Sequence, residues 1–363
     1  MSPGVYQLPD LLSICPKKTG NIISPSFKET KESYEQWVRD NIGYFASIVR
    51  SDMPLMAALV CPNANFQELR AILDYMSMSY MLEELTDRCS SEMAKSTCNL
   101  WIEILKNREA GEGHCHPFIK LMTKQMAPRV KGAVDPYHWA QFIQSCAEYA
   151  KNTAQEAVDR EALKGTVDIP RIASYTVMRR ESIGVRPCLV LMRSTRKLYL
   201  PEHVLKHPDI AEMENAALDM VYISNDLHSF KKELSEDGAL NNIITIMNTD
   251  PTTRHLDLQE RFDHAGKLFQ GALDRFKACR DELPGFDDKE IDNQVAAYAD
   301  GLVDWVVGGM EWSSITPRYR VFANDADRRN NILRLDDRWF MSVTFQFLLI
   351  IGIVVACITF VTL

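Results

Sequence analysis

The chain has no CxxC pair, no Gly/Pro/Ser-rich tract, no internal repeat and few alternating runs of Val, Ile and Thr. The absent CxxC pairs exclude a zinc ribbon, and its nine cysteines are odd in number and scattered, which argues against a disulfide framework and for reduced thiols. Without a flexible tract there is no obvious linker to divide the chain, and without a repeat period a solenoid is excluded. The shortage of alternating runs argues against a β-sandwich or barrel. Basic charge is also scarce: 41 Lys+Arg stand against 49 Asp+Glu, a net −8. That excludes nucleic acid as the main partner. The first residues, MSPGVYQLPDLLSICPKK, lack the basic start, apolar stretch and small-residue site of a secretory leader, so the polar part of the chain is expected in the cytosol.

What is present is helical periodicity, with apolar residues three and four apart, and the fold class read from it is all-α with about ten helices. Phe142, Ile143, Cys146, Tyr149, Thr153, Ala154, Ala157 and Val158 draw one stripe along a long helix. A second helix is predicted from Asn65, with Glu68 at capping-box spacing, through Met76 and Tyr80 to Glu83. A third is predicted from Asp209, through Ala217 and Val221, to a stop at Gly238. Breaks are expected at 111–117, 164–168, 250–253, 283–287 and 308–317, which are rich in Gly, Pro, Asp or Thr.

One run differs from the rest. Residues 341–363, MSVTFQFLLIIGIVVACITFVTL, contain no charged side chain, and about twenty apolar residues suffice for a helix to cross a bilayer. The expected organisation is a catalytic domain over 1–325, a juxtamembrane linker over 326–340 and a transmembrane tail anchor over 341–363. This gives a membrane localisation with a single C-terminal anchor and a cytosolic catalytic domain. Arg328, Arg329, Arg334 and Arg338 fit the cytosolic flank.

Chemistry concentrates on two helices. Asn225, Ser229 and Glu233 are four apart each time, and four helical steps turn about 400°, so an amide, a hydroxyl and a carboxylate stack on one face. Such hard oxygen donors suit Mg2+, and Lys232 adds a cation for an anionic ligand. On the second helix the apolar stripe ends in Glu83-Glu84-Leu85-Thr86-Asp87. Glu83 and Asp87 repel each other at i, i+4 unless a cation lies between them. Placed opposite each other, the two sets would bind a small group of Mg2+ ions and, through them, a phosphorylated substrate. His114, Cys115 and His116 are adjacent in a Gly-rich loop and lack the spacing of a closed metal site, so they are read as surface.

The stretch Asn225-Asp226-Leu227-His228-Ser229-Phe230-Lys231-Lys232-Glu233 resembles the second metal motif, N(D)xxSxxKE, of the class I terpene synthases, and over about residues 6–325 the chain resembles the sesquiterpene synthases of higher fungi. Arg179-Arg180 resembles the family's diphosphate-sensing arginine segment, with Arg179 46 residues before Asn225 and Arg180 left open as the alternative sensor. Arg318-Tyr319 resembles the pair that closes over the diphosphate. Glu83, Glu84 and Asp87 resemble the first metal motif with one departure: the family usually opens that motif with Asp, and Glu83 carries an extra methylene.

The resemblance implies an all-α bundle around an apolar cavity, with both motifs at its mouth. It implies three Mg2+ ions held by Glu83, Glu84, Asp87, Asn225, Ser229 and Glu233, and farnesyl diphosphate as substrate, gripped by Arg179, Lys232 and Arg318. Tyr80, Tyr175, Trp305 and Trp312 are candidates to face the cationic intermediates. Two other readings stay open at this point: a chain-lengthening prenyltransferase, and a protein that keeps the fold after losing activity.

Overall fold

Asn65 shows how local sequence starts an element. Its side chain accepts from the Glu68 N–H at 3.1 Å, and the Glu68 carboxylate accepts from the Asn65 N–H at 3.0 Å, so two donors that a helix start leaves unpaired are satisfied at once. The helix so begun, Phe66–Thr86, delivers the first acidic motif at its far end.

The computed structural model describes residues 4–18, 20–42, 51–87, 89–163, 171–236, 239 and 241–335. Its longer helices are α1 (Phe27–Asn41), α2 (Met53–Val60), α3 (Phe66–Thr86), α4 (Ser91–Lys106), α5 (Ala127–Ala133) and α6 (Pro136–Leu163). They continue as α7 (Ile172–Ser182), α8 (Val185–Thr195), α9 (Pro208–Glu236), α10 (Leu258–Asp281) and α11 (Lys289–Ile315). Helix α9 packs on α10 and α11, α6 on α4 and α8, and α11 on α2. The interior is apolar and aromatic: Tyr75 of α3 meets Phe142 of α6 edge-on at 5.2 Å, and Trp101 of α4 meets Tyr149 of α6 at 5.9 Å.

Helix α9 begins at Pro208, one residue before the predicted start. Proline suits the first helical turn because its missing N–H would go unpaired there anyway. The predicted break at 308–317 falls elsewhere, since α11 runs to Ile315. Gly308 is there for close approach: a Cβ on it would lie 2.6 Å from the Leu59 carbonyl oxygen, so the glycine lets α11 pack against the end of α2. Residues 164–168, another predicted break, lie outside the described residues.

The fold class is corrected in one respect. The all-α bundle stands, but among the described residues no helix is long and apolar enough to cross a membrane. Even the apolar α11 carries Asp292, Asp300, Asp304 and Glu311 along its length. The expected membrane localisation falls with the expected span. Residues 341–363, on which both rested, lie outside the described residues.

Residues 326–335, expected as linker, belong to ordered structure. Asp325–Arg329 is a short helix, and strand β2 (Ile332–Leu335) pairs antiparallel with β1 (Gly4–Gln7), Gly4 opposite Leu335. Arg334 grips Asp327 with two bonds of 2.8 Å. The eight described cysteines are all free, and His114, Cys115 and His116 are exposed.

Candidate active site

Asp226 organises the second motif. It is buried, and one of its carboxylate oxygens accepts from the Tyr175 hydroxyl at 2.6 Å and from the Ile243 N–H at 2.9 Å, while the other accepts from Arg179 at 3.0 Å. The pairing fixes Arg179 against α9. Burial alone would lower the pKa of its guanidinium, but Asp226, Tyr175 and Glu156 hold it well above the usual arginine value.

Asn225 has two partners. Its Oδ1 accepts from Arg179 at 3.1 Å, and its Nδ2 donates to the Tyr319 hydroxyl at 2.8 Å. One turn on, Ser229 is buried and its Oγ makes no hydrogen bond. One turn further, half-buried Glu233 accepts from Asn242 Nδ2 at 2.9 Å, and burial followed by the Asp226 charge raises its carboxyl pKa. Lys232, also half-buried, sits one helical step from Glu233.

At the end of α3, half-buried Glu83 accepts a 3.0 Å hydrogen bond from the Tyr149 hydroxyl. Its pKa is pushed up to about 7, first by burial and then by Asp87, against the opposing pull of Tyr149 and Arg318. Tyr149 reaches this place because Gly184, at φ +71°, forms the turn between α7 and α8, where a Cβ would lie 3.1 Å from the tyrosine ring. Glu84 and Asp87 are exposed, and Glu84 accepts from the Tyr80 hydroxyl at 2.9 Å.

The two motifs are tied through Arg318-Tyr319. Arg318 donates to the Tyr80 hydroxyl and lies 4.5 Å from the centre of its ring, while Tyr319 takes the bond from Asn225. Eight of the eleven predicted residues are thus placed on or beside one assembly, Glu83, Glu84, Asp87, Asn225, Ser229, Glu233, Arg318 and Tyr319, while Lys232 is next to Glu233 in the chain. Arg179 joins it as the ninth. Arg180 does not: it turns away to clasp Asp219 with two bonds of 2.7 Å, in a pairing shared by Arg275. Of the two arginines left open by sequence, only Arg179 faces the motif.

Sequence reasoning missed Asp226 as the organiser, Tyr149 as a partner of Glu83, and Glu156. Glu156 lies on α6 seven residues after Tyr149, accepts from Asn241 at 3.2 Å, and has a carboxyl pKa raised by burial, with Asp87 also raising it. A glutamate interrupting the inward stripe of α6 was the available signal. Of the aromatic candidates, Tyr80 and Tyr175 act here as hydrogen-bonding groups. Trp312 donates to the Ser51 carbonyl at 2.8 Å and supports Tyr319 edge-on, while Trp305 is buried and its Nε1 makes no hydrogen bond.

The donor set fits divalent metal. A buried hydroxyl without a partner stands between an amide and a carboxylate on one helical face, and oxygen-only groups of this kind suit Mg2+. Among the described residues no three Asp, Glu, His or Cys side chains already converge as a metal cluster.

An all-α bundle in which Arg318-Tyr319 links an acidic helix end to an Asn/Ser/Glu helix face, with Arg179 on that face, has the form of a class I terpene synthase. The sequence profile described as terpene synthase family 2, C-terminal metal binding, matches residues 74–275, more than half of the chain. Sesquiterpene synthase 1 of Postia placenta is 30% identical over 266 residues, 73% of this chain and 75% of that protein. A sesquiterpene synthase of Cyclocybe aegerita is 29% identical over 88% of each chain. Among solved structures, germacradien-4-ol synthase from Streptomyces citricolor superposes with a TM-score of 0.68 at 19% identity, covering 82% of this chain and 97% of that one, a likeness of fold. The chain belongs to terpene synthase family 2, among the class I sesquiterpene synthases of fungi. Membership brings with it the use of a divalent metal, typically Mg2+, and a prenyl diphosphate substrate.

Proposed function

We propose that this sesquiterpene synthase ionises and cyclises farnesyl diphosphate with three Mg2+ ions, releasing diphosphate. The observation that supports this best is the state of the second motif: Asn225 is oriented from both sides by Arg179 and Tyr319, and the buried Ser229 hydroxyl beside it has no partner. Bound Mg2+ would supply Lewis-acid stabilisation of the leaving diphosphate. Glu83, Glu84 and Asp87 would hold it from α3, and Asn225, Ser229 and Glu233 from α9.

Arg179, Lys232 and Arg318 bind the diphosphate oxygens, and their fixed charge stabilises the anion that grows as the carbon–oxygen bond breaks. Arg179 and Arg318 are each held by protein groups, Asp226 and Tyr80, so little reorganisation would accompany that step. The apolar, aromatic interior keeps water from the allylic cation, which water would otherwise convert to a simple alcohol. A prenyltransferase is disfavoured because the second motif is Asn/Ser/Glu, where chain-lengthening enzymes carry a second Asp-rich set. Loss of activity is disfavoured because Glu83 retains a dedicated partner in Tyr149.

The test is incubation of the purified full chain with farnesyl diphosphate and Mg2+, followed by analysis of volatiles. A fifteen-carbon hydrocarbon or alcohol is expected; none above a boiled control overturns the reading.

A further inference from the structure

Tyr80 has both sides of its hydroxyl engaged by groups of the active site. It donates to Glu84, one turn further along α3, and accepts from Arg318, 238 residues away in sequence. The Arg318 guanidinium also lies over the Tyr80 ring, 4.5 Å from its centre and well inside the range of a cation–π contact. The tyrosine is buried, and a residue that merely filled the core would not need a hydroxyl joining a cation to a carboxylate of the first motif.

The turn that carries Arg318 is fixed on its other side. Thr316 Oγ1 donates to the Ser51 carbonyl at 2.9 Å and accepts from the Arg318 N–H at 3.2 Å, and Arg320 adopts a left-handed φ of +46°. Tyr319 completes the bridge by accepting from Asn225. The dipeptide therefore spans both motif helices, through Tyr80 to Glu84 on one side and directly to Asn225 on the other.

We propose that Tyr80 is a positioning residue that holds Arg318 above the first motif before substrate binds, so that the arginine meets the diphosphate already oriented. The proposal rests on the reading of Arg318 as a diphosphate ligand. A guanidinium tethered by a hydrogen bond and the near face of the Tyr80 ring, with the Tyr319 ring 5.9 Å away, loses little freedom on gripping an anion, whereas an untethered one must be ordered at that moment. Tyr80 thereby sets the affinity for the diphosphate group more than the rate of the step that follows.

The experiment compares the full-length wild-type chain with Tyr80→Phe, which keeps the ring and removes the hydroxyl, and Tyr80→Leu, which removes both. Titration with inorganic pyrophosphate and Mg2+ in a calorimeter should show affinity about tenfold lower for Tyr80→Phe and lower again for Tyr80→Leu. KM for farnesyl diphosphate should rise more than kcat falls. Without any ligand, hydrogen exchange at residues 318–321 should be faster in Tyr80→Phe than in wild type. In an Arg318→Lys background the Tyr80→Phe substitution should have no further effect on pyrophosphate affinity.

Equal pyrophosphate affinity and equal exchange in wild type and Tyr80→Phe overturn the proposal. Should Tyr80→Phe not fold, exchange at 318–321 in Glu84→Ala, which removes the acceptor of the Tyr80 hydroxyl, reads the same tether from its other end, and an unchanged rate there overturns it equally. If wild type forms no terpene yet binds pyrophosphate in a Tyr80-dependent way, the positioning role stands and the proposed reaction falls. If terpene forms while Tyr80→Phe binds pyrophosphate as wild type does, the reverse holds.

Discussion

The Tyr149 hydroxyl donates a 3.0 Å hydrogen bond to Oε1 of Glu83, the glutamate that opens the acidic run at the end of α3. Its side chain thus reaches a partner on a neighbouring helix, and that partner fixes where the carboxylate stands. Tyr149→Phe and Glu83→Asp should each raise the Mg2+ concentration for half-maximal turnover by about three- to tenfold, and the double variant should be little worse than either alone. Activity of Glu83→Asp above wild type would show that the tyrosine does not serve the glutamate.

Glu83 also predicts a proton-coupled metal site. Burial and Asp87 push its pKa up to about 7, so with no metal bound the carboxyl gains its proton as pH falls through about 7. A metal ligand must be deprotonated, so Mg2+ affinity measured without substrate should rise as pH rises through 7, approaching tenfold per unit below it. Glu83→Gln should bind more weakly and lose that slope. Calorimetry at pH 6, 7 and 8 decides.

Ser229 separates stability from function. Its hydroxyl is buried without a partner, so Ser229→Ala removes no hydrogen bond and should leave the unfolding free energy within about 0.5 kcal/mol of wild type. Turnover should nevertheless fall more than about tenfold, because a metal donor is lost. A large loss of stability with unimpaired turnover would remove Ser229 from the metal set.

The adjacent arginines should behave oppositely. Arg179→Ala removes the cation paired with buried Asp226 and should reduce kcat by about a hundredfold or more. Arg180→Ala should leave product formation within a few-fold while costing about 1–2 kcal/mol of stability, moderated because Arg275 still reaches Asp219. Parallel thermal melts and product assays check both, and a catalytic loss in Arg180→Ala equal to that in Arg179→Ala would contradict the geometry.

Asp304 provides a pH effect on stability away from the metal motifs. Burial raises its pKa from 3.8 to about 6, against the opposing pull of Arg196 and Lys18. The native state therefore keeps this proton to higher pH than the unfolded chain does. The resulting stability is fully present below about 3.8 and is lost as pH rises through about 6, with a ceiling of about 3 kcal/mol. Relative to Asp304→Asn, wild type should lose stability between pH 4.5 and 7 in urea unfolding, and parallel curves for the two proteins would contradict the assignment.

Much of the site could be read directly in the chain because helical spacing converts sequence distance into a shared face. The Asn225, Ser229, Glu233 face and the Asn65 cap needed nothing else. The choice between Arg179 and Arg180 could not be read this way, since neighbours on a helix point about 100° apart and only packing against α9 decides which one meets Asn225. Gly308 misled for a related reason: glycine marks either a break or a close approach, and only the presence of the α2 backbone distinguishes them. The charge-free run at 341–363 suggested a span that no described helix provides.

By itself the sequence determined which residue types stand at which helical positions: the helices, their caps, the two faces proposed to bind metal and the family to which they belong. These depend on local periodicity and on short motifs, both of which are properties of neighbouring residues. Tertiary structure alone decided how Tyr149 supports Glu83, how Asp226 collects Arg179 and Tyr175, and how Tyr80 joins Arg318 to Glu84. Each of these contacts brings together residues far apart in the chain, and its existence depends on distances that only packing sets.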